Sequence, residues 1–297
     1  MLNNNTEKDN ILGSKSHDFD KDDFSKKKSN NPLDSYLMKK TIVVKVGGST
    51  LGFDDTTLSD VVKLQSKGYF PIIVHGGGAD ISEWMKKVGK RPKFVNGRRV
   101  TDKETLNIVI SVLAGKVNTE MVNQINIIGG KAIGLSGVDD GLITAKLKDP
   151  AFGFVGEVDK VKSKSIFELV KLGYIPVIAP LCLNAKPKSD DQILNVNADS
   201  VAGEVARSIN CSKLIFVTDV PGVMDLSKRV IPKLISKQVK KLVKTSYVSG
   251  GMIPKLEACL HSVTKIQEAH IIDGRNEGAL FNVVTKNNFN KGTLIVN

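Results

Sequence analysis

The sequence predicts an α/β protein with a mostly parallel central sheet sandwiched by helices and organised in two lobes. Two observations carry that prediction. Apolar, β-branched runs repeatedly end at a glycine corner that opens a helix, and apolar residues form 41% of the chain while aromatics form only 5%. That balance suits Val- and Ile-rich strands buried on both faces better than a surface that stacks bases.

Taken in order, residues 1–40 mix Asn, Lys, Asp and Ser and predict a disordered leader. Leu33, Tyr36 and Leu37 stand at i, i+3 and i+4 and leave room for a short helix just before the first strand. The leader lacks the apolar centre of a signal peptide and the acid-poor character of a transit peptide. Strands are expected at Thr41–Val46, ending in Gly47-Gly48, and at Phe70–His75, ending in Gly76-Gly77-Gly78 before a helix from Ala79 to Val88. Further strands fit Ala132–Leu135, Ile175–Pro180, Lys213–Thr218, His270–Ile272 and Thr293–Val296. Helices fit Thr101–Ile127, Ser163–Leu172 and Ala198–Ile209.

Composition narrows the function classes. The formal net charge of +12 raises the question of a nucleic-acid partner, but the lysines are spread along the chain. The run Lys237, Lys240, Lys241 and Lys244 alternates at helical spacing with Val239, Leu242 and Val243 and predicts a solvated helix face. Cys182, Cys211 and Cys259 are far apart and predict reduced packing residues rather than a metal knuckle or disulfide framework. The longest apolar run, Ile175 to Leu183, falls far short of the ~18 residues that cross a bilayer. The expectation is a cytoplasmic enzyme.

Glycine corners after strands free backbone N–H groups to approach phosphate oxygens, and ligands of open α/β sheets gather at the carboxyl ends of strands. Gly47-Gly48, Gly76-Gly77-Gly78, Gly222 and Gly250-Gly251 are such corners, although each alone could be a tight turn. The chain has no GxxxxGK[ST], and the Gly76–Ile81 stretch fails GxGxxG, so neither a P-loop nor a standard dinucleotide site is present. Lys45 lies inside the first strand between Val44 and Val46, so its ammonium needs an anion unless the strand is an edge or the side chain points outward. Lys255 follows Gly250-Gly251-Met252-Ile253-Pro254 near a helix start and reads either as a solvated helix lysine or, together with Lys45, as a second cation for an anion. Asp199, opening the Ala198–Ile209 helix, reads either as a plain N-cap or as a partner for such lysines.

Taken in order, Val44-Lys45-Val46-Gly47-Gly48-Ser49, Val74-His75-Gly76-Gly77-Gly78, Asn96-Gly97-Arg98-Arg99-Val100-Thr101, Gly134-Leu135-Ser136-Gly137, Asn195-Val196-Asn197-Ala198-Asp199, Thr218-Asp219-Val220-Pro221-Gly222-Val223 and Gly250-Gly251-Met252-Ile253-Pro254-Lys255 carry a resemblance from about Thr41 to the C-terminus. The chain resembles the amino-acid kinase family, and within it the branch that phosphorylates N-acetyl-L-glutamate at its γ-carboxylate in arginine biosynthesis. The resemblance implies a leader over 1–40, an acceptor-binding and dimerisation lobe over 41–210 and an ATP-binding lobe over 211–297. By motif match, Lys45 and Lys255 are the catalytic lysines and Asp199 the carboxylate that holds them. Arg99, Asn195 and the backbone of Gly77 and Gly78 bind the acceptor. Gly47, Gly48, Asp219, Val220, Gly222, Met224, Val248 and Ser249 line the nucleotide, which is ATP with Mg²⁺. A γ-carboxylate is already ionised at neutral pH and needs no general base, so catalysis falls to placement and to cations facing a crowded set of negative oxygens.

Arginine-inhibited family members carry an N-terminal helix that links dimers into a hexamer and a C-terminal signature that this chain half keeps, at Asn282, Val284, Thr285, Asn290, Gly292 and Thr293. Homodimer is therefore the expected assembly, with hexamer formation and arginine inhibition left open. A kinase for a related acidic amino acid, or a non-catalytic arginine-sensing homologue, are the alternative functions.

Overall fold

A computed structural model of the chain describes residues 32–47, 56–95, 98–188, 192–245, 247–248, 250–286 and 291–297. The first strand, β1 (Thr41–Val46), is buried at all six positions and pairs in parallel on both edges, with β2 (Phe70–His75) and β10 (Lys213–Thr218). Its β-branched run is what a strand covered on both faces requires. Outward from β2 lies the ten-residue β8 (Ile175–Asn184). Its first half pairs with β5 (Ala132–Gly137), and its second half pairs with β6 (Ile143–Leu147) and β9 (Ile193–Val196). The hairpin partner of β6 is β7 (Val155–Val161). On the other side β10 is followed by β12 (Glu268–Asp273), antiparallel β13 (Thr293–Val296) and β11 (Lys233–Ile235). Residues 94–95 (β3) and 98–99 (β4) form a separate small ribbon.

The chain thus proceeds from β1 to β2 on one side and reaches β10 on the other, which makes the carboxyl ends of β1 and β10 the switch point where open sheets bind ligands. Alternation along β1 assigns the layers. Val43 packs with the cluster of Val201, Val205, Leu256 and Cys259, whereas Ile42, Val44 and Val46 pack with Leu58, Val61, Ile125 and Leu280. Lys45 shares the parity of Val43, so it faces the first layer.

That first layer is α6 (Ser163–Lys171), α7 (Ala198–Ile209), α8 (Ser236–Lys244) and α9 (Met252–Ser262); the second is α2 (Thr57–Ser66), α5 (Asn118–Ile127) and α10 (Ala279–Thr285). The remaining helices are α1 (Pro32–Lys40), α3 (Gly78–Lys87) and α4 (Lys103–Ile110). The expected helix over Thr101–Ile127 differs in two ways. Asp102 caps its start by accepting from Thr105 N–H at 2.8 Å, which leaves Thr101 in a bridge with Gly153. Residues Ser111–Val117 are π-helical, an insertion that side-chain periodicity does not reveal. The lysines of α8 are exposed over a buried Val239, as its spacing predicts. The three cysteines are free and buried, and no described helix is long and apolar enough to cross a membrane.

Candidate active site

A cleft of about 350 Å³ opens above the carboxyl ends of β1 and β2. Lys45, Gly77, Gly78, Arg99, Asn195 and Asp199 all line it, although they are scattered over some 150 residues of sequence from β1 to α7. At its centre Asp199 stands between two ammonium groups. Lys45 Nζ lies 3.0 Å from Oδ1, and Lys255 Nζ lies 3.2 Å from Oδ2. Lys255 also donates to Gly251 O at 3.2 Å. Lys45 and Asp199 are only 8% and 5% exposed, so neither charge has bulk water as its main partner. Burial holds the Lys45 ammonium below the ordinary lysine range; Asp199 opposes that shift and Lys255 adds to it.

The helix start explains why Asp199 is available for this role. Asn197, not Asp199, caps α7, its Oδ1 accepting the N–H groups of Asp199 at 2.8 Å and Ser200 at 3.3 Å. The N-cap reading of Asp199 is thereby replaced, and its carboxylate points to the lysines. Lys255 sits in the first turn of α9, and the two helices approach closely at Gly203. A Cβ at Gly203 would stand 3.1 Å from Ser262 Oγ and 3.3 Å from Ala258 Cβ.

The glycine corner after β2 supplies the opposite wall. Gly77 precedes α3 with no side-chain cap, so the first-turn N–H groups of the helix open toward the cleft. Arg99, 9% exposed, lies beside this corner. Its Nη2 donates to Gly78 O at 2.9 Å and Ser82 Oγ at 2.7 Å, its Nη1 contacts Met85 Sδ at 3.1 Å, and its head stacks 4.8 Å over the Phe94 ring. Three of its N–H groups are thereby engaged, and among the described residues no carboxylate pairs with the head. Burial lowers its pKa from the usual guanidinium value. Asn195 Nδ2 donates to Thr101 Oγ1 at 3.3 Å, which ties β9 to the ribbon carrying Arg99.

None of the described residues assigned to the nucleotide is among those that line this cleft. Gly47 ends β1, and Asp219 and Val220 follow β10, whose Thr218 hydroxyl donates toward Val220 O at 2.9 Å. Gly222 (φ 147°) turns the chain where a Cβ would meet Thr293 Oγ1 at 2.8 Å, and Thr293 Oγ1 accepts from Val223 N–H at 2.9 Å. Met224 bridges Val230, and Val248 is buried before α9. Gly48 and Ser249 lie outside the described residues. Sequence reasoning missed Phe94, Lys148, Glu157 and Glu257, which also line the cleft, with Lys148 and Glu157 paired across the β6–β7 hairpin. That hairpin's charged, short alternation hid it; the Asp149-Pro150 turn before Phe152 was its one legible signal.

The family model for the amino acid kinase family matches residues 40–273, most of the chain. The chain belongs to the amino acid kinase family. Among relatives of this family member, the acetylglutamate kinase of Methanosphaera stadtmanae is 41% identical over 278 residues, covering 86% of this chain and 91% of that one. A Streptococcus mutans protein of known structure is 30% identical and superposes with a TM-score of 0.74, covering 87% of this chain and 99% of that one. The carbamate kinase of Giardia lamblia bound to AMP-PNP shares 16% identity and a TM-score of 0.63 over 88% of this chain and 99% of that one, a likeness of fold alone. The expected fold class is borne out.

Proposed function

We propose that this enzyme transfers the terminal phosphoryl group of ATP to the γ-carboxylate of N-acetyl-L-glutamate, giving the acyl phosphate of arginine biosynthesis. The observation that carries the chemistry is the Lys45–Asp199–Lys255 cluster, of which Lys45 and Asp199 line the cleft. The acceptor carboxylate, the leaving phosphate and the equatorial oxygens of the transferred group are all negative, so the barrier is lowered by cations and N–H dipoles already in place. Lys45 and Lys255 supply the cations, and Asp199 holds both side chains so that little reorganisation is left for the reaction itself. Gly77 and Gly78 N–H groups, Arg99 and Asn195 orient N-acetyl-L-glutamate; the planar fork of Arg99 suits its α-carboxylate.

ATP brings the phosphoryl group to be transferred, and Mg²⁺ neutralises charge on the phosphate tail. The donor set fits a metal held by phosphate oxygens and water, because Asp199 is already clamped by two ammonium groups and the described residues gather no group of three or more His, Cys, Asp or Glu. Gly47, Gly48, Asp219, Val220, Gly222, Met224, Val248 and Ser249 line the nucleotide. Residues 41–210 form the acceptor lobe and 211–297 the ATP lobe, and the protein acts as a cytoplasmic homodimer.

Coupled ADP release with Mg-ATP tests the assignment on N-acetyl-L-glutamate, L-glutamate and N-acetyl-L-aspartate, in wild type and in Lys45→Ala and Lys255→Ala. Turnover is expected with N-acetyl-L-glutamate alone, with kcat lowered on the order of 10³-fold in either variant. Turnover confined to another acid would move the substrate, and no ADP from any acid would refute the kinase reading.

A further inference from the structure

His75 takes no part in the chemistry above, yet it is wholly buried and adjoins the glycine corner. Its parity on β2 turns it to the sheet face opposite Lys45, toward α5. There Asn118 Nδ2 lies 3.1 Å from His75 Nε2, and also donates to Val177 O at 2.9 Å and Leu135 O at 3.3 Å. Two backbone carbonyls around Nδ2 fix the orientation of the amide, and an amide nitrogen only donates. With two hydrogens for three acceptors, the amide makes its shorter contacts to Val177 O and His75 Nε2 and leaves Leu135 O the weakest, so His75 Nε2 accepts and the ring hydrogen sits on Nδ1, 2.9 Å from Gly76 O.

Two neighbours keep this relay in place. Gly134, in a glycine motif that the proposed chemistry leaves unused, cannot carry a side chain, since a Cβ there would stand 2.1 Å from Asn118 Oδ1. The π-helical stretch just before Asn118 also presses Leu113 onto the corner, where a Cβ at Gly77 would lie 2.6 Å from Leu113 Cδ2. The carbonyl of Gly76 and the N–H of Gly77 belong to one planar peptide unit and point in opposite directions. Holding the carbonyl from below the sheet therefore aims the N–H into the cleft.

We infer that His75 is a positioning residue. Held neutral by Asn118 with its hydrogen on Nδ1, it locks the Gly76–Gly77 peptide so that the Gly77 N–H faces the acceptor's carboxylate. Burial, which drives the ring's pKa down to about 4, keeps it neutral in the working range. The inference rests on the acceptor assignment of this cleft, and two readouts separate its failure from that one's. ¹⁵N-histidine NMR of the whole wild-type protein should show one neutral ring with hydrogen on Nδ1 that does not titrate through the neutral range, whatever the substrate. A hydrogen on Nε2 overturns the inference. In kinetics, His75→Gln keeps an acceptor toward Asn118 but loses the donor to Gly76, whereas His75→Asn does the reverse. His75→Gln should raise KM for N-acetyl-L-glutamate about tenfold with KM for ATP unchanged, the size of one lost hydrogen bond, and His75→Asn should recover most of that loss. Equal losses of thermal stability in both variants with an unmoved acceptor KM would make His75 merely structural and overturn the inference. A wild type that turns over no acetylglutamate but shows the Nδ1–H signature would instead refute the substrate assignment and leave the tautomer standing.

Discussion

The two sides of the switch point are built differently. On the side assigned to the acceptor, a glycine corner faces charged side chains that converge from distant elements and pair with one another: Lys45 from β1, Asp199 from α7, Lys255 from α9. On the side assigned to the nucleotide, backbone dominates. Thr218 and Thr293 brace a glycine turn, and the surface beyond it carries exposed apolar groups, with Leu226 80% and Tyr247 55% exposed. The difference matches what each ligand demands. A small dianion must be gripped by fixed charges from many directions, whereas a large nucleotide needs a shaped edge and backbone donors.

Replacement of Asp199 by Asn should have the largest effect on this contrast. It leaves the buried Lys45 and the part-buried Lys255 ammonium groups with no shared counter-ion, so a stability loss of about 3 kcal/mol is expected together with near-complete loss of turnover. Thermal melting is the check; an unchanged Tm would mean that the acceptor side is not held by its ions. The intermediate test is Arg99→Lys, which should raise KM for N-acetyl-L-glutamate about tenfold while leaving kcat within a few-fold, because a point charge cannot reproduce the planar fork proposed to bind the carboxylate. An unchanged acceptor KM in a folded protein would remove Arg99 from the site. The smallest effect is expected from Thr293→Val. It deletes the acceptor for Val223 N–H and the donor to Ile231 O, costing about 1–3 kcal/mol and raising KM for ATP a few-fold with acceptor KM unmoved. A shift in the acceptor KM instead would erase the division between the two sides.

Most of the frame was legible because it rests on local signals. The runs Thr41–Val46, Phe70–His75, Lys213–Thr218 and Thr293–Val296 are strands at the expected bounds, since short apolar runs rich in β-branched residues are hard to satisfy otherwise. The residues brought into the cleft were found through motif resemblance, and physical reasoning alone had left Lys45, Lys255 and Asp199 with two readings each. What stayed hidden depends on partners far away in sequence. The β6–β7 hairpin mixes charged and apolar groups and β9 has only four residues broken by Asn195, so they lack the long continuous apolar run of the central strands. The Asn118–His75 contact joins residues 43 apart in sequence, and no local pattern marks it. Gly134 gave no hint that its missing side chain makes room for an amide.

The close passage of α7 over α9 at Gly203 has one more consequence. Gly203 lies about one helical turn beyond Asp199, and Ala258 about one turn beyond Lys255, so the place where the helices touch is the fulcrum for the ion pair above it. Its gauge is set by hydrogen against methyl, with the Ser262 hydroxyl 3.2 Å from Gly203 O as the stop. A methyl added there would work as a shim, prising the jaws apart at the tip, where the phosphoryl group is proposed to fit. Alignment of the reactive cations is thus machined into the helix crossing, out of reach of either substrate.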